Sequence, residues 1–137
     1  MLSPEMKKLT FLEFFSIYLF GGIGYGAIET AWRGYTHWTM IVAGGVCACL
    51  IHMIATRMHE RLWKKWIMCA ACITAVEFVA GCIVNLRLGW NVWDYSSQPL
   101  DLMGQICPMF TLAWLALSVP CVEISILLKK YVFVNPK

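Results

Sequence analysis

Three glutamates, Glu13, Glu77 and Glu123, stand inside long apolar stretches of this 137-residue chain. A carboxylate surrounded by hydrocarbon must be protonated, paired or wetted, and an ionisable residue at such depth marks a candidate site for handling a proton, ion or substrate. Glu77 is the sharpest of the three. It lies mid-stretch, too deep for a short side chain to reach water, and shares a helical face with Thr74, Gly81 and Asn85. Glu77 and Asn85 therefore read either as lining for a substrate or ion path or as polar groups that hold helices together. Glu13 and Glu123 lie nearer the ends of their stretches, where interfacial solvation is the simpler expectation.

A second group of polar residues sits between the apolar stretches. Glu29 and Arg33 are four apart, the spacing of a helical ion pair, and His37 follows them. Another connector carries Trp90, Trp93, Asp94 and Tyr95. The bland reading is an ion-pair clamp plus an aromatic belt at the membrane interface. The functional reading joins Glu29, Arg33, His37, Asp94 and Tyr95 into a polar vestibule, because an arginine flanked by aromatic rings grips a carboxylate or phosphate well. Glu29, His37 and Asp94 could also supply acid–base chemistry to a lipid substrate near the interface. No nucleophile–base spacing accompanies them, so no catalytic residue is assigned. His52 is a lone histidine with no second ligand at matching depth, which argues against metal or haem and for helix packing. The seven cysteines all lie in or beside apolar stretches and read as small packing residues.

These side chains need helices to position them. Apolar residues make up 60% of the chain and charged residues 14%, against about 25% charged in soluble domains, so a water-exposed fold could not hide this much apolar surface. Four stretches, 9–28, 38–56, 66–86 and 104–128, approach the ~20 residues a helix needs to cross a bilayer. With no alternating pattern for a barrel, helices are the state that satisfies the backbone in lipid. The first stretch lacks a small-residue cleavage site and reads as a retained span. The expected fold is all-α, a single four-helix transmembrane domain over residues 1–137. Small residues recur on its seams: Gly22 and Gly26 on the first span, Gly45 on the second and Gly81 on the third.

Lysine and arginine set the expected orientation. Lys7, Lys8, Arg57, Arg61, Lys64, Lys65, Lys129, Lys130 and Lys137 fall on one side, and only Arg33 and Arg87 on the other. The positive-inside rule then places both termini in the cytoplasm. The chain has no basic run with interleaved aromatics outside the spans, which argues against nucleic acid as a partner. No Gly-rich loop ending in Lys-Ser/Thr occurs, so ATP would have to be bound by a separate subunit.

Two long motifs carry a family resemblance. The first runs Gly24-Tyr-Gly-Ala-Ile-Glu-Thr-Ala-Trp-Arg-Gly-Tyr-Thr-His-Trp-Thr-Met40, followed by Gly44-Gly45. The second runs Leu88-Gly-Trp-Asn-Val-Trp-Asp-Tyr-Ser-Ser-Gln-Pro99, followed by Gly104-Gln-Ile-Cys107. With Glu77-Phe78 and Gly81 between them, the chain resembles the ABC-transporter type IV permease family of bacterial membrane proteins, and more distantly the transmembrane protein 229 family. Asp101 departs from the second motif, where the pattern has an asparagine-like residue. The resemblance implies a multi-pass protein of the bacterial plasma membrane. It and the buried acids together point to a transporter or channel-like permease for a small solute or ion, assembled as a homo-oligomer, with no cofactor and with the lipid bilayer and a separate ATPase subunit as candidate partners. A non-transporting or lipid-binding membrane subunit is the alternative, and an intramembrane enzyme acting on lipid a weaker one.

Overall fold

The first helix of the computed structural model, α1, runs Pro4–Arg33, ten residues longer than the expected span. Its ends explain the difference. The Ser3 side chain accepts from the Met6 backbone N–H at 3.2 Å, and Pro4 occupies the first turn, where its missing N–H costs nothing. At the other end Gly34 takes φ 83° and donates its N–H to Thr30 at 2.8 Å, a left-handed cap that suits glycine. Thirty residues rise about 45 Å, more than the ~30 Å hydrocarbon layer, so α1 extends beyond it. The structure describes residues 1 and 3–134; Lys137, counted above for orientation, lies outside them.

Helix α2 spans Trp38–Arg57 and begins at His37, whose Nδ1 accepts from the Thr39 backbone N–H. Helix α3 spans Leu62–Gly81 and continues as a π-helical segment, Cys82–Arg87. Helix α4 spans Pro108–Tyr131 and carries Pro120 inside it. It starts four residues after the expected boundary because residues 102–107 fold back on themselves. There, Leu102 and Ile106 form an isolated bridge, and Gly104 sits at φ 71°. All four helices are long and apolar enough to cross a membrane, and no strand occurs among the described residues.

The described residues form two units: Met1–Met58 with Val122–Lys137, and His59–Cys121. In the first, α1 and α2 meet along glycines. A Cβ on Gly22 would lie 2.6 Å from the Ile41 carbonyl oxygen, and one on Gly45 would lie 2.7 Å from the Tyr18 ring. A Cβ on Gly26 would meet Ile41 at 3.0 Å. Backbones this close gain dispersion contacts that larger residues would prevent, which matters in lipid, where apolar burial between helices adds little. In the second unit, α3 and the first part of α4 frame a folded loop, residues 88–107. All seven cysteines are free thiols.

Candidate functional site

Glu77 faces the interior of the second unit, 8% exposed, and both of its carboxylate oxygens are engaged. The Tyr95 hydroxyl bonds Oε1 at 2.7 Å, and the Trp114 indole N–H donates to Oε2 at 2.9 Å. Tyr95 reaches in from the loop, its ring stacked on Phe110 with centroids 4.6 Å apart and planes 10° from parallel. The backbone fixes this position, since the Tyr95 N–H donates to the Gly104 carbonyl at 2.7 Å. Below Tyr95, Thr74 and Thr111 bond each other across α3 and α4 at 3.1 Å.

One turn along α3 from Glu77, Gly81 lets the loop approach. A Cβ there would meet Gln105 Oε1 at 2.5 Å and the Trp93 ring at 3.0 Å. A further turn on, Asn85 binds the loop with both ends of its amide. It accepts from the Val92 N–H at 2.7 Å and donates to Gln105 Oε1 at 2.8 Å. The Trp93 indole donates to the Gln105 carbonyl at 3.0 Å. Glu77, Gly81 and Asn85 thus form a stripe on which the loop is seated. Asp101 accepts from the Gly104 N–H at 2.8 Å, a bond that an asparagine oxygen would also accept, so its departure from the motif leaves the turn intact.

The other candidates divide between the units. In the first, Glu29 pairs with Arg33 at 2.9 Å and is 6% exposed; its second oxygen is buried with no hydrogen-bond partner among the described residues. Arg33 also donates to the Tyr35 hydroxyl at 2.7 Å, and its guanidinium lies 4.5 Å from that ring's centre. His37 caps α2. In the second unit, Asp94 is exposed and accepts from the Ser96 N–H at 2.9 Å; that bond holds its carboxyl below the ordinary aspartate range. Trp90 is half-exposed, and its backbone N–H donates to Val84 at 2.9 Å.

A further buried acid emerges at a position where the sequence reading expects solvation. Glu13 is 3% exposed. Its Oε1 meets His52 Nε2 at 2.7 Å, and the Lys129 ammonium donates to both oxygens, at 3.0 and 2.8 Å. His52 is fully buried between the Phe14 and Phe133 rings, and its Nδ1 has no partner among the described residues. A ring proton on Nε2 donates to Glu13 and leaves a bare lone pair at Nδ1 rather than a buried unpaired donor, so the surroundings favour Nε2 as the donor. Glu123, by contrast, is exposed. The residues that sequence reasoning missed are Trp114 and Gln105 as partners of the stripe, and Lys129 as a counter-charge. Trp114 shares a helical face with Thr111 and Ser118, and Gln105 lies in the second motif, the two signals that could have drawn them in.

Four spanning helices with polar groups turned inward define a multi-pass membrane protein. Over residues 14–136 the chain matches the family described as Putative ABC-transporter type IV, and it belongs to that family. The match and the four apolar helices together make this a membrane protein related to transport. No solved structure matches the chain.

Proposed function

We propose that the chain is a small transporter or channel-like permease, working as a homo-oligomer, that moves a small solute or ion past Glu77. One observation carries the reading: Glu77 is a buried intramembrane carboxylate held, among the described residues, only by neutral donors. Such a group accommodates either protonation state. Ionised, it accepts from Tyr95 and Trp114. Protonated on Oε1, it donates to the Tyr95 oxygen while Trp114 still donates to Oε2, so no hydrogen bond is lost. A group whose partners tolerate both states is suited to taking up and releasing a proton or cation. Asn85, Trp93 and Tyr95 would shape the path, with Trp90 and Asp94 at its approach; the polar group Glu29, Arg33 and His37 belongs to the first unit.

The charge distribution supports cytoplasmic termini, in a bacterial plasma membrane if the resemblance extends to source. The decisive test is ion flux across vesicles containing the pure protein. Glu77→Gln should abolish flux while helicity and thermal stability persist; preserved flux removes Glu77 from the path. The family description favours a second reading, a membrane subunit served by a separate ATPase. Native mass spectrometry of undelipidated protein separates the two: a homo-oligomer alone supports self-sufficiency, and a stoichiometric ATPase supports the subunit.

A further inference from the structure

The loop 88–107 lies along the α3 stripe and is held there at two places of different chemistry. At Asn85 the contacts are between groups that do not titrate: the amide accepts from the Val92 N–H at 2.7 Å and donates to Gln105 at 2.8 Å. At Glu77 the Tyr95 hydroxyl bonds Oε1 at 2.7 Å, so this end of the loop rests on a group that can change its charge. Trp114 holds the other oxygen from α4, and its bond does not pass through the loop.

The strength of the Tyr95 bond depends on that charge. A hydrogen bond onto an ionised carboxylate is about twice as strong as one between neutral groups. Protonation of Glu77 keeps the contact and makes it the weaker kind. The groups packed around the carboxyl bring no charge of their own: Tyr95 from the loop, Trp114 from α4, and Thr74 and Thr111, which bond each other at 3.1 Å. Asp94, beside Tyr95, is exposed and turned to the Ser96 N–H. Among the described residues no ion pair reaches Glu77, so no counter-charge offsets the change.

We propose that Tyr95 is a positioning residue that couples the loop 88–107 to the charge on Glu77: the loop is seated most tightly on the carboxylate, and a proton arriving at Glu77 loosens the Tyr95 end while the Asn85 end holds. The proposal rests on the transport reading above and names how that site is regulated. Such coupling is reciprocal, so ionisation favours the seated loop by the same factor by which the seated loop favours ionisation. The contribution of the Tyr95 bond to the seat is complete where Glu77 is ionised and weakens as pH falls through its titration.

The test is residue-resolved amide exchange of the full chain in lipid nanodiscs as pH is varied. Infrared difference spectra report the protonation of Glu77 in parallel, as the carboxyl band that Glu77→Gln removes. Protection of the Tyr95 N–H, which donates to Gly104, should fall about five- to tenfold as Glu77 takes up its proton, and protection of Val92 should stay constant. Glu77→Gln cannot ionise and should show the low Tyr95 protection at every pH. Tyr95→Phe keeps the ring on Phe110 and should lose the pH response. In vesicles its flux profile should move toward higher pH by up to about one unit, a shift that a merely structural tyrosine would not give. Equal protection across the titration, a response that survives in Glu77→Gln, or a Glu77 band that never changes overturns the proposal. A response at Tyr95 without flux of any kind would keep the coupling and remove transport. Glu77-dependent flux whose pH profile is unmoved by Tyr95→Phe would remove the coupling and leave transport standing.

Discussion

Glu13 in the first unit and Glu77 in the second are about equally hidden, yet their partners differ in kind. Glu13 has an ammonium on both oxygens and an imidazole on one, while Glu77 has a phenol and an indole. An ion pair in a low-dielectric setting is held in one protonation state, because removing either charge strands the other. A carboxyl held by neutral donors carries no such penalty. The difference teaches that burial alone does not separate a structural acid from a candidate functional one. Glu13 ties α1, α2 and the last turn of α4 into a clamp, and Glu77 has donors that fit either of its protonation states.

The largest effect should come from breaking the clamp. Glu13→Ala leaves the Lys129 ammonium and the His52 N–H without their acceptor and should cost about 3 kcal/mol, at the low end for a broken buried pair because the Lys129 side chain is 32% exposed. Unfolding in mixed micelles measures this; unchanged stability would mean that the triad holds nothing together. Next, Gly45→Val forces a side chain into the Tyr18 ring and should destabilise by about 2 kcal/mol. Gly24→Ala is its control, because nothing lies within 4 Å of a Cβ there.

Asn85→Ala turns to the second unit. It removes the acceptor of the Val92 N–H and the donor to the Gln105 amide oxygen, and should cost about 2 kcal/mol. Amide exchange at Val92 should accelerate with it, and an unaltered rate would separate the loop from the stripe. Glu77→Gln sharpens the comparison most, since its oxygen can still accept from Trp114 and its amide can donate to Tyr95. Stability should fall by less than about 1 kcal/mol even as flux disappears. A loss as large as that of Glu13→Ala would make both acids structural. The smallest effect belongs to Asp94. Its depressed folded-state pKa means that its stabilising hydrogen bond is fully present above the ordinary aspartate value, near pH 4, and fades as pH falls through the lower folded value. Asp94→Ala should flatten that part of the acid unfolding curve slightly.

Much of the helical frame was legible in hydropathy, and α2 to within a residue. The errors have local causes. Ser3, Pro4 and Gly34 lie outside the apolar window of α1, yet they set where its hydrogen bonds begin and end. Residues 104–107 are apolar enough to count as span, but Gly104 and Pro108 hand them to the loop. The face shared by Glu77, Gly81 and Asn85 could be read because helical spacing is local. What that face meets could not, because Tyr95 and Trp114 are 18 and 37 residues away, and their approach depends on the register of the loop and α4. Lys129 signalled only topology, since a lysine at a span end is ordinarily wet.

The bond between Lys129 and Glu13 also imposes a chronology. The two residues are 116 apart in sequence. At roughly 5–20 residues per second of synthesis, Glu13 waits on the order of ten seconds in the membrane before its counter-charge is made. Throughout that interval the α1–α2 hairpin holds an acid that only His52 can bond. The nascent hairpin is therefore the stage most exposed to quality-control proteases, and ribosome-arrested chains ending before Lys129 should be degraded faster than chains extended just past it.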